Sequence, residues 1–351
     1  MHKPNNKFDL IVIGGGSGGV RAARIAAING ATVALCEKGR MGGTCVIRGC
    51  IPKKLLFYSS QYKDLLNYSS CYGWKIKNIS RKHIDLINNK NKELKRLENL
   101  YEKNVKSAGV KIIYEEAYLE TKNLVRVGNK KLHSKKIIIA TGGKPTPLNI
   151  EGQNLCISSD QIMELAKVPK KLTIIGSGYI AIEFAFIFSS LGSKVNLICR
   201  KSLLRGFDES LIKLVEENLH LKGINLFLKE EVKNIRLHKN IKKITLKYSN
   251  KILLANEILV AIGRSPDIEK LNLKSIGIKL NTRNAIKVDK DLRTNIKNIF
   301  AIGDVTDRFN LTPVAIAEGQ FLSNMLFGKI KNKHVKLDNI GTAVFSSTPI
   351  S

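Results

Sequence analysis

The sequence predicts an α/β protein with two similar β–α–β units, one at the start of the chain and one near its middle. Each unit opens with an apolar run, passes through a glycine-rich turn, and continues into a helix of small and apolar residues. The same pattern occurs twice, in FDLIVIGGGSGGV and in KKLTIIGSGYIAI. The chain has 351 residues, of which 43% are hydrophobic, and this is enough to bury two or three cores.

The first unit, FDLIVIGGGSGGVRAARIAAINGATVALCEK, has the spacing of a dinucleotide-binding turn. Gly14 permits the tight turn, and Gly16 lets a pyrophosphate approach the backbone at the helix N-terminus. Gly19 lets the helix pack closely on the strand, and Glu37, at the end of the second strand, is placed to bind a ribose hydroxyl. The sequence therefore predicts a dinucleotide site here.

The next segment, GGTCVIRGCIPKK, holds two cysteines five positions apart. In one regular helix their Cα atoms would lie about 8–9 Å apart, which is too far for a disulfide. We therefore expect Cys45 in a loop and Cys50 in the first turn of a following helix. The helix amides, Arg48 and Lys53 would then stabilise a thiolate, which favours a redox couple.

A structural staple and a metal site are the alternatives for this cysteine pair. No further Cys or Cys/His pair completes a set of four zinc ligands, so the sequence predicts no metal. The chain begins MHKPNN and runs directly into the first unit, without an apolar leader or membrane span. We therefore expect a cytoplasmic protein, in which a close cysteine pair is more often catalytic than architectural.

The segment SRKHIDLINNKNKELKRLENLYEKNVKSAGV, between the cysteines and the second unit, has apolar residues at helical spacing. It predicts one long helix that faces solvent on its polar side.

The second unit carries Gly176, Gly178 and Ala181 at the three fingerprint positions. Cys199 stands where the first unit has its acid, and Arg200 and Arg205 follow. A carboxylate there would repel a 2′-phosphate, whereas guanidinium groups bind it bidentately. This unit is therefore predicted to prefer NADP over NAD.

The formal charge is +30, with 59 Lys and Arg against 29 Asp and Glu. The lysines are spread along the chain and no aromatic-basic module accompanies them, so we expect no specific nucleic-acid binding. Attraction of anionic small molecules is the consequence we expect. Two dinucleotide sites and a redox pair suggest an electron relay in which a flavin links a nicotinamide to a disulfide.

With these motifs the chain resembles the flavin-dependent disulfide reductases, most closely the glutathione reductases of plants and bacteria. The resemblance runs from about Phe8 to the end of the chain. It is carried by GGTCVIRGCIPKK, IIIATGGKPTPL, LVAIGRSPD and IFAIGDVTDRFNLTPVAIAEG. One departure is Asp267, where the family usually has Asn.

The resemblance implies roles for individual residues. Cys45 would attack the substrate disulfide, and Cys50 would face the flavin. Lys53 would lie near flavin N5 and pair with Glu183, while Tyr179 would cover the nicotinamide pocket. The other cofactor-binding residues that it implies are Ser17, Gly43, Thr44, Thr141, Gly142, Gly263, Arg264, Gly303 and Asp304, with Asp304 on the ribityl chain. Arg24 matches a position that helps to bind glutathione.

The resemblance also implies a domain order. Residues 1–149 would form the first part of an FAD domain, 150–265 an inserted NADP domain, and 266–339 a return to the flavin. Residues 340–351 would be the opening strand of an interface domain that is otherwise missing. In the family that domain builds the homodimer and supplies an acid–base histidine.

The activity that the resemblance implies is reduction of glutathione disulfide by NADPH through FAD and the Cys45–Cys50 pair. One alternative keeps the fold but changes the acceptor to another disulfide, dihydrolipoamide or mercuric ion. The other is a shortened chain that only binds flavin or oxidises NADPH.

Overall fold

The computed structural model describes residues 6–328, 335 and 337–351. The strands are β1 Lys7–Ile13, β2 Val33–Cys36, β3 Lys111–Ile113, β4 Ala117–Thr121, β5 Leu124–Val127, β6 Lys130–Ile139, β7 Gly143–Pro145, β8 Ile157–Ser158, β9 Lys171–Ile175, β10 Lys194–Cys199, β11 Asn225–Leu228, β12 Val232–His238, β13 Ile241–Leu246, β14 Ile252–Ala255, β15 Glu257–Val260, β16 Arg264–Pro266 and β17 Ile299–Ala301. The α-helices are α1 Ser17–Ile28, α2 Gly43–Ile47, α3 Cys50–Tyr68, α4 His83–Ser107, α5 Ser159–Ile162, α6 Tyr179–Ser190, α7 Glu209–Leu221, α8 Leu273–Ile276 and α9 Thr312–Phe327. Short 3₁₀ turns occupy Ser69–Tyr72, Gln153–Leu155 and Gly303–Thr306.

The described residues form two compact units. The first takes its residues from Met1–Cys50, Glu93–Lys144 and Arg264–Asn339. The second takes them from Ile51–Lys92, Pro145–Gly263 and Ile340–Ser351. The domain boundaries predicted from the sequence were defined by the cofactor that each segment is expected to bind, whereas these two units are defined by spatial contacts. Those boundaries therefore stay predictions.

The first unit is built on a seven-stranded sheet in the order β3-β2-β1-β6-β5-β4, with β17 also paired to β6. The strands β3, β2, β1, β6 and β17 run parallel, and β4 and β5 are antiparallel additions. Helix α1 packs against α9, and the small residues of α1 allow a close approach: the Ser323 hydroxyl donates to the Ala22 carbonyl at 2.8 Å. Parallel strands direct their carboxyl ends to one edge, where the glycine turn after β1 lies.

The second unit contains a parallel five-stranded sheet in the order β11-β10-β9-β15-β8. Helix α6 carries apolar side chains on nearly every face, and most of its residues are buried in the core of the unit. A three-stranded antiparallel sheet, β12-β13-β14, has its own apolar contacts with this parallel sheet. The α/β class and both β–α–β units predicted from the sequence are confirmed.

Two local predictions have different outcomes. The long helix is confirmed as α4, which is 25 residues long and buries Ile87, Leu94 and Val105. Residues 340–351 were expected to open a strand, but they form a turn closed by an antiparallel bridge between Val344 and Ile350. Backbone amides need partners, and these two residues supply them to each other at 2.9 and 3.1 Å. None of the described helices is both long and apolar enough to cross a membrane.

Candidate active site

The first glycine turn leaves the backbone open at the N-terminus of α1. A side chain at Gly14 would collide with the Ala140 carbonyl at 2.3 Å, and one at Gly19 with the Gly14 carbonyl at 1.9 Å. At Gly16, in contrast, an added Cβ would find its nearest neighbour, the Gly43 Cα, at 3.8 Å. Two of the three glycines are therefore required by packing, and the third leaves room for a ligand beside the helix N-terminus.

Glu37 closes the far side of this turn. Its carboxylate accepts the backbone N–H groups of Gly15 and Gly39, each at 2.7 Å. Each carboxylate oxygen keeps a further lone pair, so the group can still accept a ribose hydroxyl. Sequence reasoning placed Glu37 correctly at the end of β2.

Other predicted flavin residues of the first unit come together around Arg264. Its guanidinium donates to the Gly143 carbonyl at 2.5 Å and to the Thr44 hydroxyl at 3.4 Å. Burial raises the pKa of the Asp304 carboxyl, and the positive charge of Arg264 opposes this rise. These residues lie far apart in sequence, and the fold gathers them at one place.

The residues fit an FAD molecule. Besides the open glycine turn, the Thr141 hydroxyl is shielded from solvent and has no hydrogen-bond partner among the described residues. Gly142, at φ +71°, has open space where a side chain would stand. A buried hydroxyl without a partner is costly in the absence of a ligand that can bond to it.

The two cysteines belong to the first unit and lie on separate helices. Cys45 is in the five-residue helix α2, and Cys50 is the first residue of α3. The prediction that Cys45 lies in a loop was wrong, because left-handed Gly42 starts a short helix and the break falls at Arg48–Gly49. The prediction that Cys50 begins a helix is confirmed.

Cys45 and Cys50 are not joined by a disulfide in this structure, and the side chain of Cys50 is a hydrogen-bond partner of Cys45. That bond to Cys50 and, next, burial raise the pKa of the Cys45 thiol strongly, while Thr312 opposes the rise. The Cys50 sulfur lies 4.0 Å from the hydroxyl of Thr312, in the first turn of α9.

In the second unit, Lys53 and Glu183 form a buried ion pair. The ammonium nitrogen lies 2.7 Å from a carboxylate oxygen, and the two residues are 9% and 3% exposed. Burial raises the pKa of Glu183, while Lys53 and an N–H from Phe345 oppose the rise. The predicted pairing is present. Lys53 was also expected to support a thiolate, but its ammonium is bound to this carboxylate.

The second glycine turn resembles the first, with one glycine required by packing and one that faces open space. A Cβ at Gly176, whose φ is +143°, would lie 2.2 Å from the Ala261 carbonyl, whereas Gly178 has no atom within 4 Å. Buried Ala181 takes the place of the third glycine. The Cys199 thiol donates to the Gly176 carbonyl at 3.3 Å, and burial raises its pKa to about 12, so the position of the missing acid is uncharged.

A cleft of about 510 Å³ opens beside this turn, lined by Gly178, Tyr179, Arg200 and Gly263 among others. The residues fit a nicotinamide dinucleotide, because the cleft combines an open helix N-terminus with a cation at the end of β10. Arg205 is exposed in the turn after β10. Sequence reasoning missed Glu230 and Glu231, which also line the cleft.

A second residue that sequence reasoning missed is Tyr101 of α4. Burial and then the nearby Cys45 raise the pKa of its hydroxyl, while Arg21 and Arg24 oppose the rise. The Arg24 Nε is shielded from solvent and has no hydrogen-bond partner among the described residues. The tyrosine stands in an ordinary helical pattern, so nothing in the sequence separates it from a packing residue.

Two glycine turns on parallel sheets and a paired set of thiols define a disulfide oxidoreductase that uses a pyridine nucleotide. The chain belongs to the pyridine nucleotide-disulphide oxidoreductase family, whose model matches residues 8–319. This is a flavoprotein family, and its glutathione reductases use FAD and NADPH.

The chain is similar to three glutathione reductases. That of Burkholderia cepacia is 42% identical over 340 residues, which are 97% of this chain and 75% of the relative. That of Nostoc sp. strain PCC 7120 is 39% identical over 98% of this chain and 77% of the relative. The chloroplastic/mitochondrial enzyme of Pisum sativum is 41% identical over 98% of this chain and 64% of the relative.

Proposed function

We propose that this protein reduces glutathione disulfide with electrons from NADPH. The observation that carries the proposal is the hydrogen-bonded thiol pair Cys45–Cys50, of which Cys45 directly follows Gly43 and Thr44 beside the first glycine turn. FAD, when bound, supplies two-electron transfer between the nicotinamide and the cysteine disulfide. The named curated relatives are glutathione reductases, which supports glutathione as the disulfide.

The two thiols have different tasks in this proposal. Cys45 loses its proton as it attacks one sulfur of the substrate; a mixed disulfide forms, and the first glutathione leaves as a thiolate. The Cys50 thiolate then attacks the Cys45 sulfur, which forms the Cys45–Cys50 disulfide and releases the second glutathione. Two electrons pass from the cysteines to the substrate, and the released thiolates take up protons.

Cations near Cys45 suit an anionic disulfide. Arg21, Arg24 and Cys45 all act on the Tyr101 hydroxyl, so each of these three groups lies within electrostatic reach of it. Glutathione carries carboxylates, and the buried Nε–H of Arg24, which has no partner in the described part of the chain, can donate to one. We propose Arg24 and Tyr101 as substrate-binding residues.

Anaerobic stopped-flow spectroscopy of the FAD-loaded protein tests the proposal. NADPH should bleach the flavin band and raise a long-wavelength band that arises from a thiolate beside the flavin. Cys50→Ser should abolish the long-wavelength band, and the matched variant Cys45→Ser should keep it. A Cys50→Ser protein that still shows the band would refute the assignment of the two sulfurs.

The acceptor is tested separately, by mixing the reduced protein with glutathione disulfide, lipoamide or mercuric ion. Glutathione disulfide should reoxidise it fastest. Faster oxidation by another acceptor would favour a different reductase of the same family, and no oxidation by any of them would favour a chain that only oxidises NADPH. The cytoplasmic location remains a prediction.

A further inference from the structure

The C-terminal segment of the second unit ends against the buried ion pair Lys53–Glu183. Val344 is wholly buried and Ile350 is 6% exposed, and both belong to the apolar core that also contains α6. The bridge between these two residues fixes the turn that carries Phe345. Phe345 is therefore held in place independently of its own side chain.

The backbone of Phe345 binds the carboxylate of the pair. Its N–H donates to Glu183 Oε1 at 3.0 Å, and the same oxygen accepts from Lys53 Nζ at 2.7 Å. A buried carboxylate needs more than one donor to remain charged, because burial favours its neutral form. The N–H of Phe345 supplies the second donor.

The ring of Phe345 binds the ammonium of the pair. Lys53 Nζ lies 3.9 Å from the ring centroid, and Lys54 Nζ lies 4.8 Å from it. Both distances are within the range of a cation–π interaction, which is strongest where water is excluded. The ring of Phe57 meets the Phe345 ring edge-on, with centroids 5.3 Å apart and planes at 74°. That contact sets the direction of the ring face.

We propose that Phe345 is a positioning residue for the Lys53–Glu183 pair. Its backbone binds the carboxylate, its ring face binds the ammonium, and the two contacts together favour the charged forms of the pair and fix its geometry. If Lys53 lies beside the flavin, as the family resemblance implies, Phe345 would also set the position of that positive charge. That role beside the flavin rests on the proposed function, whereas the two contacts of Phe345 do not.

The contact with the ring is tested in the FAD-free protein by replacing Phe345 with mono-, di- and trifluorophenylalanine. Fluorine makes the electrostatic potential of the ring face less negative and barely changes the size of the ring. Packing is therefore preserved while the cation–π interaction becomes weaker. Because only a neutral amine is acylated, Lys53 should react faster with an acylating reagent at each step. Peptide mass spectrometry should show an overall rise of about three- to tenfold.

The control series places the same fluorinated residues at Phe184, a buried ring on α6 next to Glu183. It should leave the acylation rate of Lys53 unchanged. Lys90, whose ammonium donates to the Met163 carbonyl, serves as an internal reference in both series. An acylation rate of Lys53 that does not respond to fluorination at position 345 would overturn the proposal.

The loaded protein gives a second, distinguishable readout. Phe345→Leu should slow flavin reduction by NADPH about three- to tenfold and shift its pH profile, and Phe345→Tyr, which keeps a π face, should restore both. A fluorine-dependent acylation rate with unchanged flavin reduction would support the contact but contradict the place of Lys53 in the electron route. Equal pH profiles for the Leu and Tyr variants, with no fluorine effect, would reject the positioning role.

Discussion

At the scale of single residues, the pKa values of two buried carboxyl groups of the second unit are shifted in opposite directions. Burial dominates at Glu183 and raises its pKa in spite of Lys53. Burial would also raise the pKa of Glu230, but N–H groups of Tyr248, Ser249 and Glu231 outweigh it and lower the pKa to about 2. A carboxylate with three backbone donors is stabilised as an anion, and here it anchors the turn after β13.

Glu230 should therefore make folding sensitive to acid. Its carboxyl has a reference pKa of 4.5 and a folded pKa of about 2, so below pH 4.5 the unfolded chain binds a proton that the folded chain does not. Its stabilisation is present above pH 4.5 and is lost as the pH falls towards 2. Glu230→Gln should remove this dependence and lower the free energy of unfolding at pH 7 by about 1–3 kcal/mol.

Urea denaturation at a series of pH values measures this effect. Glu231→Gln is the matched control, because Glu231 lies next in sequence and pairs with Lys247 near the surface at 3.1 Å. Its loss should cost no more than about 1 kcal/mol. Parallel pH curves for the Glu230→Gln variant and the unmodified protein would contradict the prediction.

The preference for NADPH is also a prediction about single residues. Replacing Arg200 and Arg205 together by Leu should weaken NADPH binding about 10- to 100-fold, because charge-assisted hydrogen bonds to the 2′-phosphate are lost. NADH binding should change by less than about twofold, since NADH has no such phosphate. Arg236→Leu, an exposed arginine that faces Glu151 at 3.5 Å, is the control. Fluorescence titration measures both affinities. Equal losses of affinity for NADPH and NADH would show that Arg200 and Arg205 do not recognise the 2′-phosphate.

At the scale of secondary structure elements, the glycines of each turn have two different roles: some are required by close packing, and others leave space for a ligand. In the second unit, Gly176 is locked by the Ala261 carbonyl, and Gly178 faces open space at the N-terminus of α6. The two substitutions should therefore separate stability from affinity.

Gly176→Ala should lower the free energy of unfolding by about 1–3 kcal/mol, because the new Cβ clashes with a carbonyl and φ +143° disfavours a side chain. Gly178→Ala should change it by less than about 1 kcal/mol and still weaken NADP⁺ binding about tenfold or more, since the methyl group occupies the approach of the pyrophosphate. Thermal unfolding and calorimetric titration measure the two quantities. A stable, tightly binding Gly176→Ala protein would contradict the assignment.

These elements also show how far the sequence alone could predict the structure. The strands, glycine turns and helices of both units follow from local periodicity, and Glu37 and Cys199 fall at the strand ends where counting places them. The helix around Cys45 was missed because five residues are too few to show a period. Tyr101 and Phe345 were missed for a different reason: their partners lie 56 or more positions away in sequence, and only the fold makes them neighbours.

At the scale of the whole molecule, the excess of positive charge is the property most open to measurement. A formal charge of +30 creates a positive potential around the protein, and both NADPH and glutathione disulfide are anions. Such a potential raises the rate of encounter more than the affinity, and salt screens it, with a Debye length of about 10 Å at 0.1 M.

The second-order rate constant for flavin reduction by NADPH should therefore fall about tenfold or more between 0.01 and 0.3 M salt. A neutral hydride donor, 1-benzyl-1,4-dihydronicotinamide, is the control, because it has no charge for the field to act on. Its rate constant should stay within about twofold over the same range. Stopped-flow measurement at subsaturating donor gives both constants. Equal salt dependence for the two donors would mean that salt acts on the protein itself rather than on its attraction for the anionic nucleotide.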